Sequence, residues 1–300
     1  MTQAAENLQA KSILLVLHIS KPGNRRKVSA GMVEVDADRG SISVAKELLQ
    51  CEELQAILTL DGQIRKYVYG RSLPSGILKE GVYRLPLVLV DEVDQGLNDL
   101  MASRQALVER FVAIYPSTVE EARNRLRALY DHSDYPEPAA IRDAFGLEWR
   151  YLTLEVPETL SQALVERERA KIAASVAAEV DEIRLALRTA FAELVQHAAD
   201  RLATAQDGKP LIFRDSLIKN MEEFFHYFEA RNLTQDGGLA SLVEQARDAI
   251  RGLTPEDLRK FPSLRGAVQQ TLAGIKATMD AGLMLKPTRR FTLEVAGAAV

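Results

Sequence analysis

The stretch Ser161–Ala205, SQALVERERAKIAASVAAEVDEIRLALRTAFAELVQHAADRLATA, holds neither proline nor glycine. Its apolar residues recur eleven apart in three sets: Ile172, Ile183 and Leu194; Val176, Leu187 and Ala198; Val180, Phe191 and Leu202. An eleven-residue period corresponds to about 3.67 residues per turn, so the stripe stays on one face of a nearly straight helix. At 1.5 Å per residue the element is a rod roughly 68 Å long. Its outward residues, such as Glu166, Arg167, Glu168, Arg169 and Lys171, suit a solvated or partner-facing surface. Such a rod argues for architecture over small-molecule catalysis. Its apolar face can be covered within the chain or across a two-fold axis, so a homo-oligomer stays open.

Upstream, residues 1–10 read as polar and mobile, and Ser12–Ser20 (SILLVLHIS) as a strand buried on both faces. Met32–Val35 reads as a second short strand, and a helix from Ser43 to about Tyr69 carries the stripe Val44, Leu48, Cys51, Leu54 and Leu58. Gly70–Pro86 reads as loop. Spacing predicts a helix over Val90–Tyr115 that Pro116 stops, then a short helix capped by Ser117 or Thr118. Asp131–Pro138 is a turn, Ala139–Phe145 a turn or two of helix, and Trp149–Val156 (WRYLTLEV) alternates as a strand.

Downstream of the rod, Asp207, Gly208 and Pro210 break it, and Pro210 is placed to open the next helix. The stripe Phe213, Leu217, Met221, Phe224, Phe225 and Phe228 suits a helix folded back on the rod as a hairpin. Further helices are expected over Gly238–Arg251, from Thr254–Pro255, and over Ser263–Met279; Arg289–Val295 alternates as a strand returning to the sheet. The fold class is therefore α+β and mainly helical: a small mixed or antiparallel sheet and a long helical hairpin, with the rod at about 158–206. The division is an α+β domain over 1–157, the long helix and a helical bundle over 158–285, and a C-terminal strand over 286–300.

The chain has 300 residues, 47% of them hydrophobic, and a net charge of −4, so bulk attraction to nucleic acid is not expected. The single cysteine, Cys51, rules out a disulfide framework and reads as a buried, inert thiol in a cytoplasmic protein. The apolar run Ile13–Ile19 is too short to span a membrane.

No phosphate loop, GxGxxG, HExxH, CxxC or GxSxG motif occurs. His132, between Asp131 and Asp134, carries metal-ligating atoms, though an Asx-type turn with a solvated ring is the simpler reading. His197 reads as a half-buried packing ring or a side-chain pair, and His226 as a satisfied interfacial ring. Arg214, Asp215 and Asn220 read as polar ties between helices; adjacent Asp215 and Ser216 point apart and make no nucleophile–base pair. No catalytic residue, cofactor or metal is assigned. Two basic clusters stand out: Lys21, Arg25, Arg26 and Lys27 in the first loop, and Lys286, Arg289 and Arg290 before the last strand. If their strands are neighbours, seven cations gather to hold a phosphate backbone or an acidic partner.

Four stretches, LYDHSDYPEPAAIRDAF (129–145), IFRDSLIKN (212–220), RNLTQD (231–236) and LRKFPSLRGAV (258–268), with Leu73–Pro74 and Val156–Pro157, resemble a family of unknown function from tailed phages and prophages. Members are often encoded beside a MoxR-type AAA+ ATPase and a cobalt-chelatase-like protein with a von Willebrand factor A domain. The resemblance implies a non-enzymatic accessory protein of the host cytoplasm, an adaptor or substrate-recruiting subunit for such an ATPase. It carries no catalytic residues to transfer. The alternative, from the basic loops, is a nucleic-acid-binding protein of phage replication or recombination.

Overall fold

The computed structural model describes residues 2–29, 31, 41–75, 78–154, 159, 161–203 and 211–284. It is mainly helical with a small antiparallel sheet, and the chain divides into two compact units, Met1–Val180 and Asp181–Val300.

In the first unit, helix α1 (Gln3–Ala10) leads into β1 (Ser12–Ile19). The N-terminal residues read as mobile are thus helical, because Ala4, Ala5 and Leu8 fall on one face and are buried. β1 is the centre of a three-stranded sheet between β4 (Val82–Pro86) and β5 (Leu147–Leu152), antiparallel to both, with Leu15 opposite Tyr83 and Tyr151. Flanked on both sides, β1 buries Leu14, Leu15 and Leu17. β4 corrects the reading of Gly70–Pro86 as loop: five residues between turn signals carry little periodicity, and pairing with β1 makes them a strand.

A separate hairpin joins β2 (Arg25–Val28) to β3 (Val44–Glu47), with Arg26 opposite Lys46. The helix expected from Ser43 therefore starts late, as α2 (Glu52–Arg71). The reason is local. Leu48 and Leu49 are both buried, and the Asn24 amide occupies the Leu49 backbone, donating to its carbonyl and accepting from its N–H at 2.8 Å each. Cys51 is half-buried at the start of α2 and not part of a helical stripe, and burial pushes its thiol pKa up.

Helix α3 (Val90–Leu126) runs through Pro116 without stopping. Phe111, Val112, Tyr115, Thr118 and Ala122 form one buried stripe across it, so packing overrides the stop signal. Ser117 and Thr118 cap nothing; their hydroxyls donate to the Ile114 carbonyl, at 2.7 and 3.1 Å. The core lies between α2 and α3, where Ile57, Phe111 and Val108 meet Tyr135 and Ile141. The latter belongs to α4 (Pro138–Asp143).

α5 (Gln162–Leu202) is the expected rod, and the division between units falls within it. Val176, Val180, Ile183, Leu187, Phe191, Ala198 and Leu202 of the eleven-residue stripe are buried. In the second unit α6 (Ser216–Arg231) meets α5 through the stacked rings of Phe224 and Phe191, 5.4 Å apart. Pro210 lies outside the described residues and α6 opens at Ser216, so Pro210 does not begin it; Phe213 is buried in the extended segment ahead of the helix. α7 (Gly237–Ile250), α8 (Pro255–Lys260) and α9 (Pro262–Met284) follow, and Thr254 and Asp257 form a capping box on α8. Met32–Val35 and Arg289–Val295, read as strands, lie outside the described residues.

Candidate functional site

The first basic cluster lies on and before β2. Arg26 and Lys46 stand directly opposite across the hairpin, where two cations repel, and Asp134 lies between them. Its carboxylate is 2.6 Å from Lys46 Nζ and 3.5 Å from Arg26 Nε, and Lys46 also donates to the Leu129 carbonyl at 2.6 Å. Asp131 accepts from the Ser133 N–H and hydroxyl, which hold its carboxyl below the usual range. The DHSDYP turn is therefore a clamp on the hairpin: Tyr135 stacks on Tyr130 at 5.1 Å and donates to the Leu48 carbonyl at 3.3 Å. Among the described residues no group of three or more His, Cys, Asp and Glu is placed to hold a metal ion.

Of the seven cations singled out, Arg26 spends part of its charge on Asp134, while Lys21, Arg25 and Lys27 are exposed, without a carboxylate partner among the described residues. Lys286, Arg289 and Arg290 lie outside the described residues.

Beneath the hairpin opens a cleft of about 190 Å³. Leu48, Leu49, Leu54 and Ile141 make it apolar, Pro22–Asn24 and Ala140 edge it, and Arg26 and Asp134 add opposite charges. Tyr115, at its wall, donates to the Pro136 carbonyl at 2.9 Å, and burial first, then neighbouring Tyr135 and Tyr130, pushes its phenol up to about 12. The cavity is near the ~150 Å³ that takes a benzene ring and below the ~300 Å³ at which ligand pockets begin. It suits one large aliphatic or aromatic side chain flanked by polar or charged groups. No sequence signal marked it, because its walls come from four separate segments.

The other quoted stretches build the second unit. In RNLTQD, Asp236 receives both arms of Arg188, at 2.6 and 2.8 Å, and accepts the Leu239 N–H to cap α7, while Arg184 donates to the Thr234 carbonyl at 2.7 Å. Burial pushes the Asp236 carboxyl up, but the Arg188 and Leu239 hydrogen bonds and the charges of Arg188 and Arg184 together hold it below the usual range. In LRKFPSLRGAV, Arg265 donates to the carbonyls of Leu202, Arg201, Ala203 and Leu211, capping the end of α5. Burial lowers the Arg265 pKa. In IFRDSLIKN, Asp215 pairs with Arg259, as a tie between helices should, whereas Arg214 and Asn220 face a cleft. His197 is exposed, not the half-buried packing ring offered as one reading of the sequence; His226 is also exposed, its ring set roughly perpendicular to that of Tyr227 at 4.7 Å.

Comparison of the chain with protein-family models, curated proteins and solved structures finds no match. No helix among the described residues is long and apolar enough to cross a membrane.

Proposed function

We propose that the chain works by binding a protein segment, as an adaptor or substrate-recruiting subunit for a AAA+ ATPase in the host-cell cytoplasm. The observation that carries the binding is the cleft under the hairpin, sized for one apolar side chain and edged by Arg26 and Asp134. An apolar anchor in a pocket with polar surroundings is the arrangement that concentrates binding energy in protein interfaces. The ATPase and the von Willebrand factor A protein enter as partners through the resemblance of the four quoted stretches.

The test is a pull-down of the tagged full chain from native cells, washed at moderate salt and treated with nuclease, beside the variant Ala140→Trp. Ala140 is exposed at the cleft, so the indole fills the space without removing a core contact. Recovery of a AAA+ ATPase by the wild type and its loss from Ala140→Trp supports the reading. Equal recovery by both, or none, overturns it.

The nucleic-acid reading retains one specific support, the exposed Arg25 and Lys27 on β2 with Lys21 just before it, none with a carboxylate partner among the described residues. It requires salt-dependent DNA binding that Arg25→Glu with Lys27→Glu abolishes.

A further inference from the structure

A second cleft, of about 410 Å³, lies in the second unit between the last turns of α5 and the first turn of α6. His197 and Arg201 reach it from α5, one helical turn apart, and Arg214, Ser216 and Asn220 reach it from the far wall. Two neighbouring acids are engaged elsewhere: Asp215 with Arg259, and Asp200 as acceptor from Gln196 at 2.6 Å. Among the described residues neither guanidinium has a carboxylate partner and no acid lines the cleft. Arginine does not lose its proton in proteins, so two fixed positive charges face one solvent-filled space with a hydroxyl and an amide beside them. Phe213 and Leu217 give the same cleft an apolar floor.

We propose that this cleft binds a small phosphate-bearing molecule of nucleotide size, with Arg201 and Arg214 holding the phosphate and the apolar floor taking the uncharged part. Guanidinium matches phosphate oxygens in a bidentate fork, and a dianion cancels both charges at once. The volume falls in the ~300–1,000 Å³ range of small-molecule sites. The net charge of −4 favours a small ligand over a nucleic-acid strand, which would meet overall repulsion. The proposal is independent of the hairpin cleft, which lies in the other unit.

Isothermal titration of the full chain with pyrophosphate, AMP and an eight-nucleotide single strand tests it. The expected result is saturable one-to-one binding of AMP and pyrophosphate. Arg201→Gln and Arg214→Gln should each weaken it about tenfold or more, the cost of one charge-assisted hydrogen bond. Lys219→Gln, on α6 outside the cleft, should leave it unchanged. Both arginines are exposed, so the variants should fold, and unchanged circular dichroism checks this. Unaltered affinity in both arginine variants overturns the proposal, as does failure of AMP and pyrophosphate to saturate at millimolar concentration. Binding of the strand alone, steeply weakened by salt, overturns it in favour of nucleic acid.

Discussion

Arg84 and Glu179 face each other 4% and 2% exposed, joined by two hydrogen bonds of 2.7 and 2.8 Å, and Arg84 also reaches the Ser12 hydroxyl at 3.3 Å. Removing one member leaves the other charged and buried, so Arg84→Met should cost about 3–5 kcal/mol in urea unfolding, and Arg84→Met with Glu179→Leu should recover most of it. A neutral single variant would show that the pair is not desolvated. Gly81 has φ +83°, and a Cβ there would stand 2.9 Å from the Leu17 carbonyl oxygen, so Gly81→Ala should cost about 1 kcal/mol or more. Asp236 makes stability depend on pH. Its folded pKa lies below the unfolded value of about 3.9, so its contribution is complete above that pH and is lost as pH falls through the folded value. Asp236→Asn keeps a good helix cap but not the charge. It should be less stable than the wild type at pH 7, with the difference shrinking below about pH 4.

Within elements, α3 holds a proline whose ring removes one backbone donor from an otherwise continuous helix. Pro116 is exposed, so Pro116→Ala loses no packing and should raise stability by up to about 3 kcal/mol. No gain in melting temperature would mean that Pro116 costs α3 nothing in this packing. In α5, Leu187 is fully buried, and Leu187→Asp should cost about 4 kcal/mol or more, since a carboxylate cannot sit unpaired there. The eleven-residue stripe was legible because its period is a property of the helix alone. The start of α2 was not, because Leu48 fits a helical spacing, and only the Asn24 amide, 25 residues away, draws Leu49 out of the helix.

The whole molecule has two compact units, each with its own buried residues, the first around Ile57 and Phe111, the second including Val243 and Leu272. Native-state hydrogen exchange of Leu187→Asp should show lost protection at Val243 and Leu272 with Ile57 and Phe111 retained. Loss at all four would make the two units one cooperative body. The sequence by itself determined the mainly helical α+β class, the buried strand β1, the long α5 and the helix opening at Thr254–Pro255, because period and turn chemistry act within about a dozen residues. Only the tertiary structure decided that β4 is a strand, that α3 passes Pro116, that Asp134 takes up part of the charge of Arg26, and that His197, Arg201 and Arg214 line one cleft. Each of these depends on a partner far away in the chain, and a contact between distant segments leaves no periodic trace in either.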